Sequence, residues 1–331
     1  MNLIYFAVAF AVSLVLCGIT YAILKKTKAK QEILEYVTEH SGKSGTPTMG
    51  GIGFLLAFTI CSFLSVKSNS DLAIFSVIVT CGFGVIGFLD DFIKIKFKRN
   101  LGLRAYQKIL AQLLISVIVA IYVLKNPLLG GEIKIPFANL SVDIGGWIFP
   151  LTVFIFLSCV NGVNLTDGLD GLASSVTLVY LIFFCILTYI EIQKLSYSGY
   201  SILAGEYENL MRIGIIGAGV LTAFLVYNAF PAKVFMGDVG SLALGSLVAC
   251  LSIFTRISLY IPVLGIMYVV SCVSVILQVG FFKITKGKRI FLMAPYHHHL
   301  QKKGLSEPRV CIIYTAITAV FGSVLVALAA M

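Results

Sequence analysis

Five aspartates lie in three short stretches between long apolar runs. These are Leu89-Asp90-Asp91, the segment 164–171 (NLTDGLDG) with Asp167 and Asp170, and the segment 236–241 (MGDVGS) with Asp238. A carboxylate at a membrane edge is costly to place and marks a functional site by default. Five of them on one side would make a magnesium and phosphate site at the water–lipid boundary, since magnesium takes one or two protein carboxylates together with phosphate oxygens. Asp90 and Asp91 end an apolar run and open a strongly basic one, so a solvated helix end competes with a metal-holding pair. Asp167 and Asp170 are three apart and would share a face of a helical turn, with Asn161 and Asn164 one turn earlier. Gly162, Gly168 and Gly171 would let backbone approach a ligand closely. The plainer alternative is a glycine-rich connector capped by Asn and Asp. Asp238 opens an apolar run, where it suits an N-cap as well as a metal ligand. Pro231, Lys233 and Phe235 precede it, offering a cation for phosphate and an aromatic face for a base.

Two further stretches are polar enough to join this chemistry. The segment 43–51 (KSGTPTMGG) holds Lys43, Thr46, Thr48 and three glycines, with Gly42 just before it. It lacks the GxxxxGK[ST] order of a P-loop, so it reads as a phosphate or sugar cradle of unspecific type. His297, His298 and His299 follow Pro295. Neighbouring side chains point apart, so three consecutive histidines do not readily ligate one metal. Hydrogen bonds to phosphate or pyrophosphate suit them better, with a solvated loop as the alternative.

The elements that must position these residues are apolar. Of 331 residues 59% are hydrophobic and 12% charged, about half the charge of a soluble domain. The chain is therefore expected to be an all-α polytopic membrane protein, a single integral membrane domain. Ten spans are placed near 2–24, 50–66, 72–89, 107–124, 144–160, 172–190, 212–230, 239–256, 259–282 and 310–330. Pro262 would bend the ninth or mark its start. The first run has neither a basic n-region nor a small-residue cleavage site and reads as a retained helix. A short external β-hairpin is expected near 128–143, around Gly130-Gly131. The eight scattered cysteines form no CxxC pair and read as buried free thiols.

Ten spans put both termini on one side. Loops 25–49, 90–108 and 283–309, with Lys233, hold nineteen of the 25 Lys and Arg residues; the other side has Lys67, Lys125, Lys134, Lys194, Arg212 and Arg256. The basic side should be cytoplasmic, with both termini external. All five aspartates, the histidines and the 43–51 stretch then fall on the cytoplasmic side. The net charge of +10 is better explained by such loops than by nucleic acid, and no nucleic-acid partner is expected.

Together these stretches resemble the bacterial phospho-N-acetylmuramoyl-pentapeptide transferases, within the polyprenyl-phosphate N-acetylhexosamine-1-phosphate transferase superfamily. The resemblance runs from GTPTMGG (45–51) through LDDFIK (89–94), NGVNLTDGLDGLA (161–173), FPAKVFMGDVGSLALG (230–245) and MAPYHHHL (293–300) to SEPRV (306–310). It implies ten transmembrane helices in the bacterial inner membrane, a cytoplasmic-facing site and a homodimer. It also implies magnesium-dependent transfer of phospho-MurNAc-pentapeptide from UDP-MurNAc-pentapeptide to undecaprenyl phosphate, giving lipid I and UMP. Carried over by motif, Asp238 resembles the magnesium ligand, and one of Asp90 and Asp91 acts on the lipid phosphate. Lys43, Asp170 and Phe235 match the uridine pocket, where the Phe stacks on uracil. Thr48, Asn164 and Asp167 match neighbouring substrate contacts, and Asn228 and Gln278 match further ones. The three histidines match a motif needed for activity. After them the family has an aromatic residue, Glu and an apolar residue. This chain has Leu300-Gln301-Lys302, so a role for that Glu is not carried over.

Nucleophile and electrophile would both be anionic phosphates. Magnesium, Lys43, Lys108 and the histidines could neutralise them. Direct attack by the lipid phosphate is preferred to a covalent aspartyl intermediate. The nearest alternative is a UDP-GlcNAc-dependent GlcNAc-1-phosphate transferase, against which APYHHHL speaks. A secondary transporter would place its ionisable residues near mid-membrane between broken helices. A purely structural membrane protein would not need five clustered acids.

Overall fold

The computed structural model describes residues 2–27, 45–66, 70–97, 102–138 and 140–331. In chain order the elements are α1 (Asn2–Thr27), α2 (Gly51–Ser65), α3 (Asp71–Lys96), α4 (Ala105–Lys125), β1 (Glu132–Ile135) and β2 (Leu140–Asp143). They continue with α5 (Ile148–Thr166), α6 (Leu172–Tyr197), α7 (Ser201–Asn228), α8 (Gly237–Phe254), α9 (Ile261–Leu264), α10 (Ile266–Ile284), α11 (Tyr296–Lys302) and α12 (Glu307–Ala329). Among the described residues nine helices are long and apolar enough to cross a membrane. The expected second span is the shorter helix α2, whose 15 residues rise about 22 Å. This is the all-α polytopic membrane architecture that the apolar runs predict.

Burial orders the helices. The most apolar stretch of α8 is 89% buried and that of α7 72%, against 17% for α1 and 22% for α10. Helix α8 is thus the central post, packed against α3, α5, α2 and α6. The rim helices leave leucine, isoleucine and valine exposed, as lipid-facing surfaces do. Helices in lipid approach closely through small residues. A Cβ at Gly87 of α3 would overlap the carbonyl of Asp238 on α8, and one at Gly51 of α2 would overlap the backbone of Gly240.

Several expected boundaries move, α5 and α6 among them running six and seven residues further, and three have a plain physical reason. Helix α3 continues through Asp90 and Asp91 to Lys96, because LDDFIKIK has no breaker and Lys94 pairs with the carboxylates three and four residues back. Helix α7 begins at Ser201, eleven residues before the expected start. Its polar first turns are satisfied internally: Arg212 donates to the Ser65 carbonyl at 3.1 Å and to Asn209 at 2.8 Å. Glu206 likewise accepts from Ser70 at 2.9 Å. Arg212, expected in an external loop, is therefore buried in a helix. The ninth span is broken at Gly265, with Pro262 in the first turn of α9.

The hairpin forms as expected, β1 antiparallel to β2 with Ile133 opposite Val142. It sits at the end of the bundle opposite Asp238, where Lys134 pairs with Glu191 of α6 and Glu132 with Arg256 after α8.

Gly87→Val should push α3 off α8, lowering stability by about 1–3 kcal/mol. The detergent melting temperature checks this, with Gly280→Ala, whose Cβ meets nothing within 4 Å, expected to leave it unchanged.

Candidate active site

Helix ends build the site. The last turns of α3 carry Asp90, Asp91 and Lys94, the first turn of α4 carries Lys108, the last turn of α5 carries Asn164, and the first turn of α8 carries Asp238. Ligand oxygens of Asp90, Asp91 and Asp238 lie within 4.8 Å of one another. Asp90 and Asp91 are each only 3% exposed.

Each carboxylate is held by a specific donor. The Leu103 amide donates to Asp90 Oδ1 at 2.9 Å. The Val239 amide donates to Asp91 Oδ2 at 3.2 Å, so Asp91 caps the N-terminus of α8 from a neighbouring helix. Asn164 Nδ2 donates to Asp238 Oδ1 at 2.7 Å and to Ser241 at 2.8 Å. The other oxygen of Asp238 receives both lysines, Lys94 at 2.9 Å and Lys108 at 2.8 Å. Lys94 Nζ also lies 2.5 Å from Asp90 Oδ2 and 3.4 Å from Asp91 Oδ1. One ammonium thus sits among all three acids. An all-oxygen donor set of this charge suits a hard divalent cation such as magnesium.

A second wall comes from the two connectors beside the acids. Asp167 is the C-cap of α5, and Asp170 lies in the turn before α6. The expectation of one shared helical face is thus corrected: α5 ends at Thr166, and α6 starts only after Gly171. Asp170 Oδ2 accepts from the Ala232 amide at 2.9 Å, tying this turn to the α7–α8 connector, and its amide faces Glu307 at 3.4 Å. Burial pushes the Asp167 carboxyl up to about 8, and the negative charges of Asp238, Asp91 and Asp170 add to the shift.

Residues 47–51 pair with 235–236. The Phe235 amide donates to the Pro47 carbonyl at 2.8 Å, and the Gly50 and Gly51 amides donate to Phe235 and Met236 carbonyls at 2.8 and 2.9 Å. This brings buried Thr48 beside Gly237, which adopts φ +73° in front of Asp91. Phe235 is half-buried in the same junction. Lys43 lies outside the described residues.

The histidines separate. His297 is buried and its ring fills the space over Gly168, next to Asp167. His298 Nδ1 lies 2.9 Å from Gln301 Oε1. His299 Nδ1 accepts from the Leu292 amide at 3.1 Å, and its ring packs on Phe291 and Tyr296. Its place is in the loop's own packing. Gln278 is engaged likewise: it accepts from the Ile290 and Phe291 amides at 3.1 and 2.9 Å and donates to the Phe291 carbonyl at 3.1 Å. Asn228 is 2% exposed, accepts from Ser174 at 2.8 Å and donates to the Val234 carbonyl at 3.0 Å. Gln278 and Asn228 thus brace the 285–295 loop and the α7–α8 connector.

Lys94 was missed as a site residue, since it counts as one more cation of a basic loop. Its signal was the spacing of three and four from Asp91 and Asp90. Ser241 and Glu307 lie within the quoted stretches MGDVGS and SEPRV but were not singled out there.

Comparison with known proteins identifies the family. Residues 72–256 match the family model described as glycosyl transferase family 4, and residues 43–55 match phospho-N-acetylmuramoyl-pentapeptide-transferase signature 1. The chain is 42% identical to the phospho-N-acetylmuramoyl-pentapeptide-transferase of Clostridioides difficile (strain 630), over 95% of this chain and 93% of the relative. It is 42% identical to those of Clostridium novyi (strain NT), over 95% and 92%, and Clostridium perfringens (strain 13 / Type A), over 95% and 94%. The chain belongs to glycosyl transferase family 4, in its phospho-N-acetylmuramoyl-pentapeptide transferase branch. The family model spans α3 to α8, the helices that carry the three acids, both lysines and Asn164. The signature covers the segment that pairs with Phe235 and Met236.

Asp167 supplies a pH prediction. The folded chain keeps its proton up to about pH 8, whereas the unfolded chain loses it in the usual carboxylate range. Stability should fall as pH rises through that window. With divalent cations chelated, Asp167→Asn should flatten this fall in detergent melting temperature between about pH 5 and about pH 8.

Proposed function

We propose that the chain transfers phospho-MurNAc-pentapeptide from UDP-MurNAc-pentapeptide to undecaprenyl phosphate, yielding lipid I and UMP. The observation that carries this is the three-acid, two-lysine cluster at the helix ends of a chain that matches the named transferases over nearly all its length. An oxygen of the lipid phosphate attacks the phosphorus that bears the sugar. The bond from that phosphorus to the UMP oxygen breaks, and UMP leaves. Direct attack leaves no covalent aspartyl adduct.

The chain's own residues prepare this step. Lys94 and Lys108 set two positive charges where two anionic phosphates must meet. Asn164 holds one oxygen of Asp238, so the other points to the lysines. The Leu103 and Val239 amides fix one oxygen each of Asp90 and Asp91 and leave the others facing Lys94. His297, packed over Gly168, closes the side next to Asp167. Phe235, beside the Asp170–Ala232 tie, offers its ring to the uracil, and Thr48 and Asp170 stand within reach of the same donor.

Asp238, with Asp90 and Asp91 beside it, would hold magnesium. When bound, the ion would neutralise phosphate charge and strengthen the leaving group. The nineteen-to-six division of Lys and Arg supports a cytoplasmic site in the inner membrane, with both termini external. The resemblance adds a homodimer.

The test is turnover by purified protein in detergent with undecaprenyl phosphate and magnesium. UMP should be released from UDP-MurNAc-pentapeptide and not from UDP-GlcNAc, and EDTA should abolish release. Release from UDP-GlcNAc would move the chain to the GlcNAc-1-phosphate branch. Asp238→Asn should lower kcat by about a thousandfold or more while the protein still expresses and folds. Lys94→Met should also lower kcat, by about a hundredfold, through loss of the charge shared by the three acids. A fully active variant in either case removes that residue from the mechanism.

A further inference from the structure

One helical turn deeper than the acids lies a second polar pair that the proposed chemistry does not use. Gln112 follows Lys108 by four residues on α4, so the two share a face. Asn161 precedes Asn164 by three on α5 and shares its face in turn. Asn161 Nδ2 donates to Gln112 Oε1 at 2.9 Å and to the Leu157 carbonyl at 2.8 Å. Among the described residues this is the one side-chain hydrogen bond between α4 and α5. Gln112 is fully buried, and its Nε2 has no hydrogen-bond partner.

A buried amide with an unmet donor is less stable than an apolar side chain of the same length. Stability therefore does not account for a glutamine at this position. Buried polar groups are best attested as devices that fix the register of packed helices. Register matters here because α4 reaches α8 through Lys108 on Asp238, while α5 reaches it through Asn164 on the same carboxylate. A slip of α4 by one residue along α5 would move Lys108 by about 1.5 Å, enough to lose its ion pair geometry.

We propose that Gln112 and Asn161 are positioning residues. Their hydrogen bond sets α4 on α5 so that Lys108 and Asn164 meet the two oxygens of Asp238 together. This rests on the transfer reaction proposed above.

The test uses the full-length protein in detergent and reads three quantities: UMP release, melting temperature and reductive methylation of Lys108 by mass spectrometry. Gln112→Met keeps length and removes the hydrogen bond. It should melt no lower than wild type, lose about tenfold or more in kcat and change KM for both substrates by less than about twofold. Methylation of Lys108 should rise several-fold. Asn161→Leu should behave alike, and the double variant should be no worse than either single one. Exchanging the two residues (Gln112→Asn with Asn161→Gln) conserves the length of the pair and should restore kcat and Lys108 protection. Unchanged Lys108 methylation in Gln112→Met, or kcat losses that simply follow melting temperature across the series, would overturn the positioning role. Wild-type protein that releases no UMP would instead overturn the proposed reaction, and the methylation result would still decide the register claim.

Discussion

Three acids whose oxygens lie within 4.8 Å of one another cannot remain ionised in a dry corner unless positive charge sits among them. That need organises this molecule. Lys94 answers it from the same helix as two of the acids, and Lys108 from the next helix, both at Asp238. For Lys94 to do so, α3 must stay helical past Asp91. For Asp238 to come within reach, α8 must approach α3 as closely as Gly87 allows. For Lys108 to arrive, α4 must begin at the site and run away from it. The charged cluster is therefore a property of how helix ends meet.

The same charges explain the two ends of the bundle. At the site end the acids outnumber the lysines that touch them, and the first turn of α8 adds its own partial positive charge next to Asp91 and Asp238. At the other end Glu191 pairs with Lys134 and lies 4.0 Å from Lys194, and Glu132 pairs with Arg256. Those pairs fasten the hairpin to α6 and to the segment after α8. One end is fastened by pairs that hold the hairpin, the other gathers three acids around two lysines.

Much of this was legible in the sequence because a membrane imposes long apolar runs and makes every acid conspicuous. The long apolar helices, the hairpin and the gathering of the aspartates on one side follow from runs and spacing, while the roles of Asp238 and Asn164 came with the resemblance. What was not legible depends on tertiary contacts. Lys94 read as a loop cation because an apolar run ending at Asp90-Asp91 suggested a helix end. The start of α7 was hidden by Glu206, Asn209 and Arg212, which look like loop residues until Ser65 and Ser70 are seen to satisfy two of them. Asn228, Gln278 and His299 each hydrogen-bond the backbone that shapes their own connector, contacts that spacing does not show. One-dimensional spacing does not tell a group that touches a ligand from one that holds the loop touching it. The pairing of residues 47–51 with 235–236 joins segments nearly two hundred positions apart, and no local signal announces it.

The distinction between touching and holding separates two layers of the site. The outer layer is charged and sits where helix ends meet. The layer beneath is neutral, made of Gln112, Asn161 and Ser241, and it lies among apolar side chains. Charges alone attract without fixing a geometry, because an ammonium can satisfy several carboxylate oxygens from several positions. Lys94, which reaches three acids, shows this freedom. A neutral hydrogen bond one turn below is directional and short-ranged, so it constrains the helix that carries the charge. If phosphate oxygens displace the lysines from the acids during turnover, the ion pairs cannot keep the helices in register at that moment, whereas the layer beneath stays intact throughout.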